Sequence, residues 1–236
     1  MTLSALGLKY GIGQYRYPHS FQLTGAAVSG RTEEGRSVRL EFLDRTRLVI
    51  DRGDGEPVVS VYECLPVARG VFFVSLEIGA LFAVIDLEAG QLVLIDVDAE
   101  THLTASLDGS ATVPVRVSDE MAGTAVAWVV GDGKEVRQRF RPDGRVHQGW
   151  SPRFDRSHEC EVTAFDLGRG LFVVDVAGFA GPGLHVPQGL GRLVMVQDYA
   201  RMTAVGAVVA TTFNDRVLLG AYGRFLEDEP AAAQNA

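Results

Sequence analysis

The chain repeats itself. LTGAAVSGRTEEGRSVRLEF (23–42) lies without a gap on MAGTAVAWVVGDGKEVRQRF (121–140), and Gly25, Ala27, Val28, Gly35, Val38, Arg39 and Phe42 fall on Gly123, Ala125, Val126, Gly133, Val136, Arg137 and Phe140. Further on, SVYECLPVARGVFFVSLE (60–77) lies on CEVTAFDLGRGLFVVDVA (160–177), where Arg69, Gly70, Phe72 and Val74 meet Arg169, Gly170, Phe172 and Val174. Matches that keep one order across both stretches indicate duplication of a single unit. A two-residue gain in the second copy is assigned to its PDG turn. The Gly- and Pro-rich stretch AGFAGPGLHVPQG (177–189) has no counterpart in the first copy and is expected to form a lid.

Each copy reads as strands. Val38, Leu40 and Phe42 alternate with Arg39 and Glu41, and runs such as VVSVYEC (58–64), VFFVSLEI (71–78), LFAVIDL (81–87) and QLVLIDV (91–97) follow at short intervals. Turn signals (DGS, PDG, GRG, NDR) separate these Val- and Phe-rich runs, as in antiparallel hairpins. Helical periodicity is nearly absent; residues 99–110 are assigned at most one irregular turn. The expected fold is all-β: two tandem lipocalin-like (calycin-type) antiparallel β-barrel units, 1–110 and 111–226, followed by a disordered tail over 227–236. Two separate barrels and one combined barrel both satisfy this pattern.

The formal net charge is −8, and no basic stripe is present, which argues against nucleic acid or an anionic membrane as partner. No apolar run approaches the ~18 residues of a spanning helix. The only cysteines are Cys64 and Cys160, too few for a disulfide framework and suited to a reducing cytoplasm as buried thiols.

TGAAVSG, RSVRLEF, the Tyr-Glu strand VSVYEC, the Gly-aromatic strand RGVFFVSLE and VIDLEAGQLVLI in the first half, with EVRQRFRPDGRVHQGW, GLFVVDV and RVLLGAYGRFL in the second, occur in an order that resembles the molybdenum cofactor biosynthesis protein F (MoaF-like) family. The resemblance spans about 200 residues and implies calycin-like domains at both ends and a context in molybdenum cofactor metabolism. It carries no catalytic signature. The first copy departs from it in having Val49-Ile50 where the second has Trp150.

Alternate side chains of such a barrel face its lumen, so a polar residue in phase with core residues is informative. Gln138 is in phase with Val136 and Phe140, where copy one has Leu40; His158 stands where copy one has Val58. The second copy is therefore expected to hold the pocket. The candidate ligand-binding residues are Gln138, His147, Trp150, His158, Asp198, Tyr222 and Arg224. Most also have a plain structural role: surface or core histidine, core tryptophan, turn-closing or Arg-paired aspartate, and an arginine snorkelling at the barrel end. No catalytic residue, metal or cofactor is assigned. GxSxG and HExxH do not occur, and GIG at 11–13 lacks the strand–helix context of a dinucleotide site. The expected partner is a small, partly apolar molecule, with a homodimer left open. The alternative is a metal-free enzyme of the same shape, a lyase, isomerase or cyclase.

Overall fold

The structure, a computed structural model, describes residues 15–110, 112–131, 134–150, 153–179, 191–210 and 215–226. Most of the proposed lid (180–189 of it) and the tail 227–236 lie outside these residues.

The first copy contributes β1 (Ala27–Arg31), β2 (Ser37–Phe42), β3 (Arg47–Asp51), β4 (Val58–Ala68), β5 (Val71–Leu76), β6 (Leu81–Asp86), β7 (Gln91–Asp96) and β8 (Thr101–Leu107). The second contributes β9 (Ala125–Gly131), β10 (Lys134–Phe140), β11 (Arg145–Trp150), β12 (Arg153–Gly168), β13 (Leu171–Phe179), β14 (Gly191–Asp198), β15 (Thr203–Ala210) and β16 (Asp215–Phe225). Each set of eight forms its own closed, antiparallel, up-and-down barrel. Closure joins β1 to β8 through Gly30–Leu107 and Arg31–Ser106, and β16 to β9 from Tyr222–Val129 to Phe225–Val126. Two barrels stand in tandem rather than one combined barrel. The segment assigned an irregular helical turn is strand β8, because Leu103, Ala105 and Leu107 alternate inward to complete the lumen.

Strand pairing also relocates the extra residues of copy two. Leu40 pairs with Ile50 and Gln138 with Gln148, so the PDG turn adds nothing. Ile50 pairs with Val58 and Gln148 with His158. The gain therefore falls in the β11–β12 connection, and Gln148, not Trp150, occupies the place of Ile50.

Among the described residues, three apolar clusters follow from this geometry. One fills barrel 1, around Leu40, Phe42, Tyr62, Phe72 and Leu92. A second fills barrel 2, around Trp128, Phe140, Val174, Met195 and Leu219. The third lies between the barrels, where Leu65, Phe73, Phe82 and Val93 of one meet Phe165, Val173, Val194 and Val205 of the other. β5, β6 and β14 are consequently buried at every position, whereas β2 alternates with solvent. An antiparallel strand covered on both faces needs apolar side chains in both phases, and VFFVSL supplies them.

Polar contacts cross the same interface. Asp175 on β13 is buried, takes a two-pronged contact from Arg192 on β14 (Nε and Nη2, both 2.6 Å), and lies 2.6 Å from Nε2 of His102 on β8 of the other barrel. Arg169 in the β12–β13 turn reaches the buried Asp86 and, at 2.6 Å, Glu88. The segment before β1 also spans the pair. Ser20 donates its N–H to the Cys64 carbonyl of barrel 1, and the Tyr15 carbonyl lies so close to Gly220 on β16 that a Cβ there would sit 2.2 Å from its oxygen.

Candidate functional site

The two lumens have the same frame and different contents. Superposing the strand registers sets Gln138, Gln148 and Gln197 of barrel 2 on Leu40, Ile50 and Ile85 of barrel 1. All three glutamines are buried, at 2% exposure or less. They form a hydrogen-bonded chain. Tyr199 Oη donates to Gln197 Oε1 (2.7 Å), Gln197 Nε2 to Gln138 Oε1 (2.8 Å), and Gln138 Nε2 to Gln148 Oε1 (2.9 Å). Burying an amide without partners costs free energy, so three at one level are tolerable because they satisfy one another.

Trp128 borders this level from β9. Its ring is fully buried in the barrel 2 cluster and stands 5.8 Å from that of Tyr199. Copy one has Gly30 at this place, facing Leu107; copy two has Trp128 facing Gly223. The bulk has changed strands. A Cβ on Gly223 would lie 2.4 Å from the indole, so glycine is required there for the ring to lie against β16. The indole Nε1 has no hydrogen-bond partner. The wall opposite is thinned: Val146, Val162, Ala164 and Val176 stand where barrel 1 has Leu48, Tyr62, Cys64 and Leu76. Tyr199, packed against Phe172 and stacked on Phe225 (rings 13° apart), closes one end, and burial pushes its phenol well above the usual range.

The sequence-predicted residues divide. Gln138 sits at the centre of the chain just described. His158 pairs across from Gln148, is partly buried on the inward face of β12, and has a further contact of its own. The backbone of Trp150 pairs with Val136 and Arg153; its side chain lies outside the described residues. Asp198 is buried but closes a turn, accepting from Arg201 N (2.9 Å) and Arg201 Nη1 (2.8 Å), as Asp86 does from Glu88 N (3.0 Å) and Ala89 N (2.9 Å). His147, Tyr222 and Arg224 point outward: His147 is exposed, Tyr222 meets Tyr15, and Arg224 pairs with Glu135 at 2.8 Å. The odd–even phase of their strands puts them opposite the lumen. Gln148, Gln197, Tyr199 and Trp128 are the residues that sequence reasoning missed. The alignment of VID on VQD held the signal for Gln197, since Ile85 falls on it.

Both thiols lie inside the barrels, Cys64 in the first and Cys160 in the second. Burial pushes Cys64 up to about 12 and Cys160 up to about 11. A thiol is nucleophilic as thiolate. The folded protein is therefore expected to resist iodoacetamide at pH 8 over hours, and the unfolded protein to take up two equivalents; rapid labelling of native Cys160 by mass spectrometry would contradict this placement.

Among the described residues no group of three or more His, Cys, Asp and Glu is arranged to hold a metal ion, and no helix is long and apolar enough to cross a membrane. No family model matches the chain, and no curated protein matches it. Among solved structures, the chain is similar to a "putative beta-lactamase" from Burkholderia vietnamiensis, at 17% identity and a TM-score of 0.37, over 45% of this chain and 96% of that one.

Proposed function

We propose that the chain is a calycin-like small-molecule-binding protein in which barrel 2 takes the ligand and barrel 1 is scaffold. The observation that carries this reading is the glutamine chain beside the unpartnered Trp128 N–H, set where the sister barrel is aliphatic. A barrel that only had to be stable would use the barrel 1 solution, because apolar side chains of the same shape cost nothing to bury. Amides and an indole neither give nor take protons near neutral pH, which favours binding over acid–base catalysis. The MoaF-like pattern of the sequence extends this proposal to a context in molybdenum cofactor metabolism, in the cytoplasm.

A variant rebuilt on the barrel 1 pattern tests it: Gln138→Leu, Gln148→Ile, Gln197→Ile and Tyr199→Phe, the last because Tyr199 would otherwise lose its acceptor. It is expected to unfold within about 1 kcal/mol of the parent, or later. It should also be free of any small molecule that native mass spectrometry finds on the parent isolated from its own cells. A parent that carries no added mass, with unchanged binding of 1-anilinonaphthalene-8-sulfonate in the variant, would sink the proposal.

A further inference from the structure

We propose that the barrel 2 lumen selects a neutral, flat molecule bearing a carbonyl oxygen, and that the Trp128 indole N–H is the donor that receives that oxygen. This rests on the reading of barrel 2 as the binding unit and specifies what it takes.

The hydrogen-bond balance inside the barrel sets the chemistry. Each of the three amide oxygens already accepts a hydrogen from within the chain: Gln197 from Tyr199, Gln138 from Gln197, Gln148 from Gln138. An amide carries two N–H donors, and Gln138 spends one of them on Gln148. Trp128 has one donor, fully buried and unspent. The surplus is on the donor side, so the complementary ligand brings an acceptor.

Charge narrows the class. The buried polar side chains inside barrel 2, among the described residues, are the three glutamines; buried Asp175 and Arg192 face the other barrel and already pair with each other, and buried Asp198 closes its turn on Arg201. A carboxylate or phosphate entering this lumen would lose its hydration among amides, without a fixed cation beside them; the inward-facing His158, across from Gln148, already has a contact of its own. A ketone, quinone or lactam oxygen loses far less and satisfies the indole. Shape completes the description. The rings of Trp128 and Tyr199 form one wall, and the shortened side chains Val146, Val162 and Ala164 line the side where barrel 1 carries Leu48, Tyr62 and Cys64. Aromatic walls with one or two placed polar groups favour flat ligands.

Three probes of one size separate these contributions: acetophenone, ethylbenzene, in which a methylene replaces the carbonyl, and benzoate. The full chain is labelled with 15N at its tryptophans, Trp128 and Trp150, and Trp128→Phe assigns the two indole resonances. Acetophenone is expected to move the Trp128 indole proton downfield and to bind about tenfold more tightly than ethylbenzene. Benzoate should bind most weakly, and Trp128→Phe should erase the preference for the ketone. Equal binding of ketone and hydrocarbon with an unmoved indole proton overturns the carbonyl assignment and leaves barrel 2 as a binding unit. Preference for benzoate overturns the neutral class. Failure of all three to bind overturns the proposal together with the reading beneath it.

Discussion

Asp175→Ala is expected to destabilise the protein by roughly 3–5 kcal/mol, the range for removing one partner of a buried ion pair. Arg192 would be left nearly buried with its charge uncompensated, and His102 would lose its contact across the two barrels. The matching residue of copy one is Ser75, also buried, whose hydroxyl has no partner; Asp175→Ser would thus fit the space and still lose the pair, and should cost nearly as much. Burial raises the Asp175 carboxyl, but hydrogen bonds from His102 and Arg192 outweigh it and hold the group below its ordinary value. A folded-state value below the unfolded one, about 3.9, gives a definite sign. The stabilisation is fully present above about pH 4 and disappears as pH falls through the lowered folded-state value. Urea titrations of parent and Asp175→Ala at pH 7 and near pH 2.5 check both parts: the gap between them should be wide at pH 7 and smaller in acid. A difference under about 1 kcal/mol at pH 7 would refute the role given to this cluster.

The second large effect concerns the exchange of bulk between strands. Trp128→Gly removes a fully buried indole, and truncations of this kind cost about 3–5 kcal/mol. Gly223→Leu alone forces a side chain into the same ring, and overpacking of this kind typically costs 1–3 kcal/mol. Since a Cβ at that place already lies 2.4 Å from the indole, the upper end is expected. The double variant restores the Gly30–Leu107 arrangement that barrel 1 uses, and should be far more stable than the two losses added together. A double-mutant cycle reads this directly, with an interaction of at least about 2 kcal/mol. Simple additivity would mean that the two positions do not share one space, contrary to their pairing across the β9–β16 seam.

How much of this was written in the sequence depends on the kind of contact. The all-β class and the duplication were readable because Val38, Leu40 and Phe42 repeat as Val136, Gln138 and Phe140, and strand phase is a local property. Phase also pointed Gln138 inward correctly. It misled for Tyr222 and Arg224, because sharing a face does not say which face is inside; that is fixed by Leu219 and Ala221, which are buried in the lumen of barrel 2. Gln148 escaped because the extra residues of copy two were put one hairpin too early, setting Trp150 in its place. The meeting of His102 with Asp175 was out of reach: 73 residues separate them, and nothing local states which outer walls of two barrels touch. A partial signal for that wall did exist. VFFVSL and LFAVID are apolar in both phases, unlike SVRLEF, and a strand with no polar face is covered on both sides.

That two-sided cover has a cost during synthesis. Barrel 1 is complete once Leu107 has left the ribosome, but Phe73, Phe82, Val84, Val93 and Ile95 stay bare until the strands that cover them emerge, the last being β16. At roughly 5–20 residues per second, the half-made molecule shows an oily flank for on the order of ten seconds. Holding chaperones would find their grip there, and nascent chains stalled between the two repeats would be the form most prone to clump.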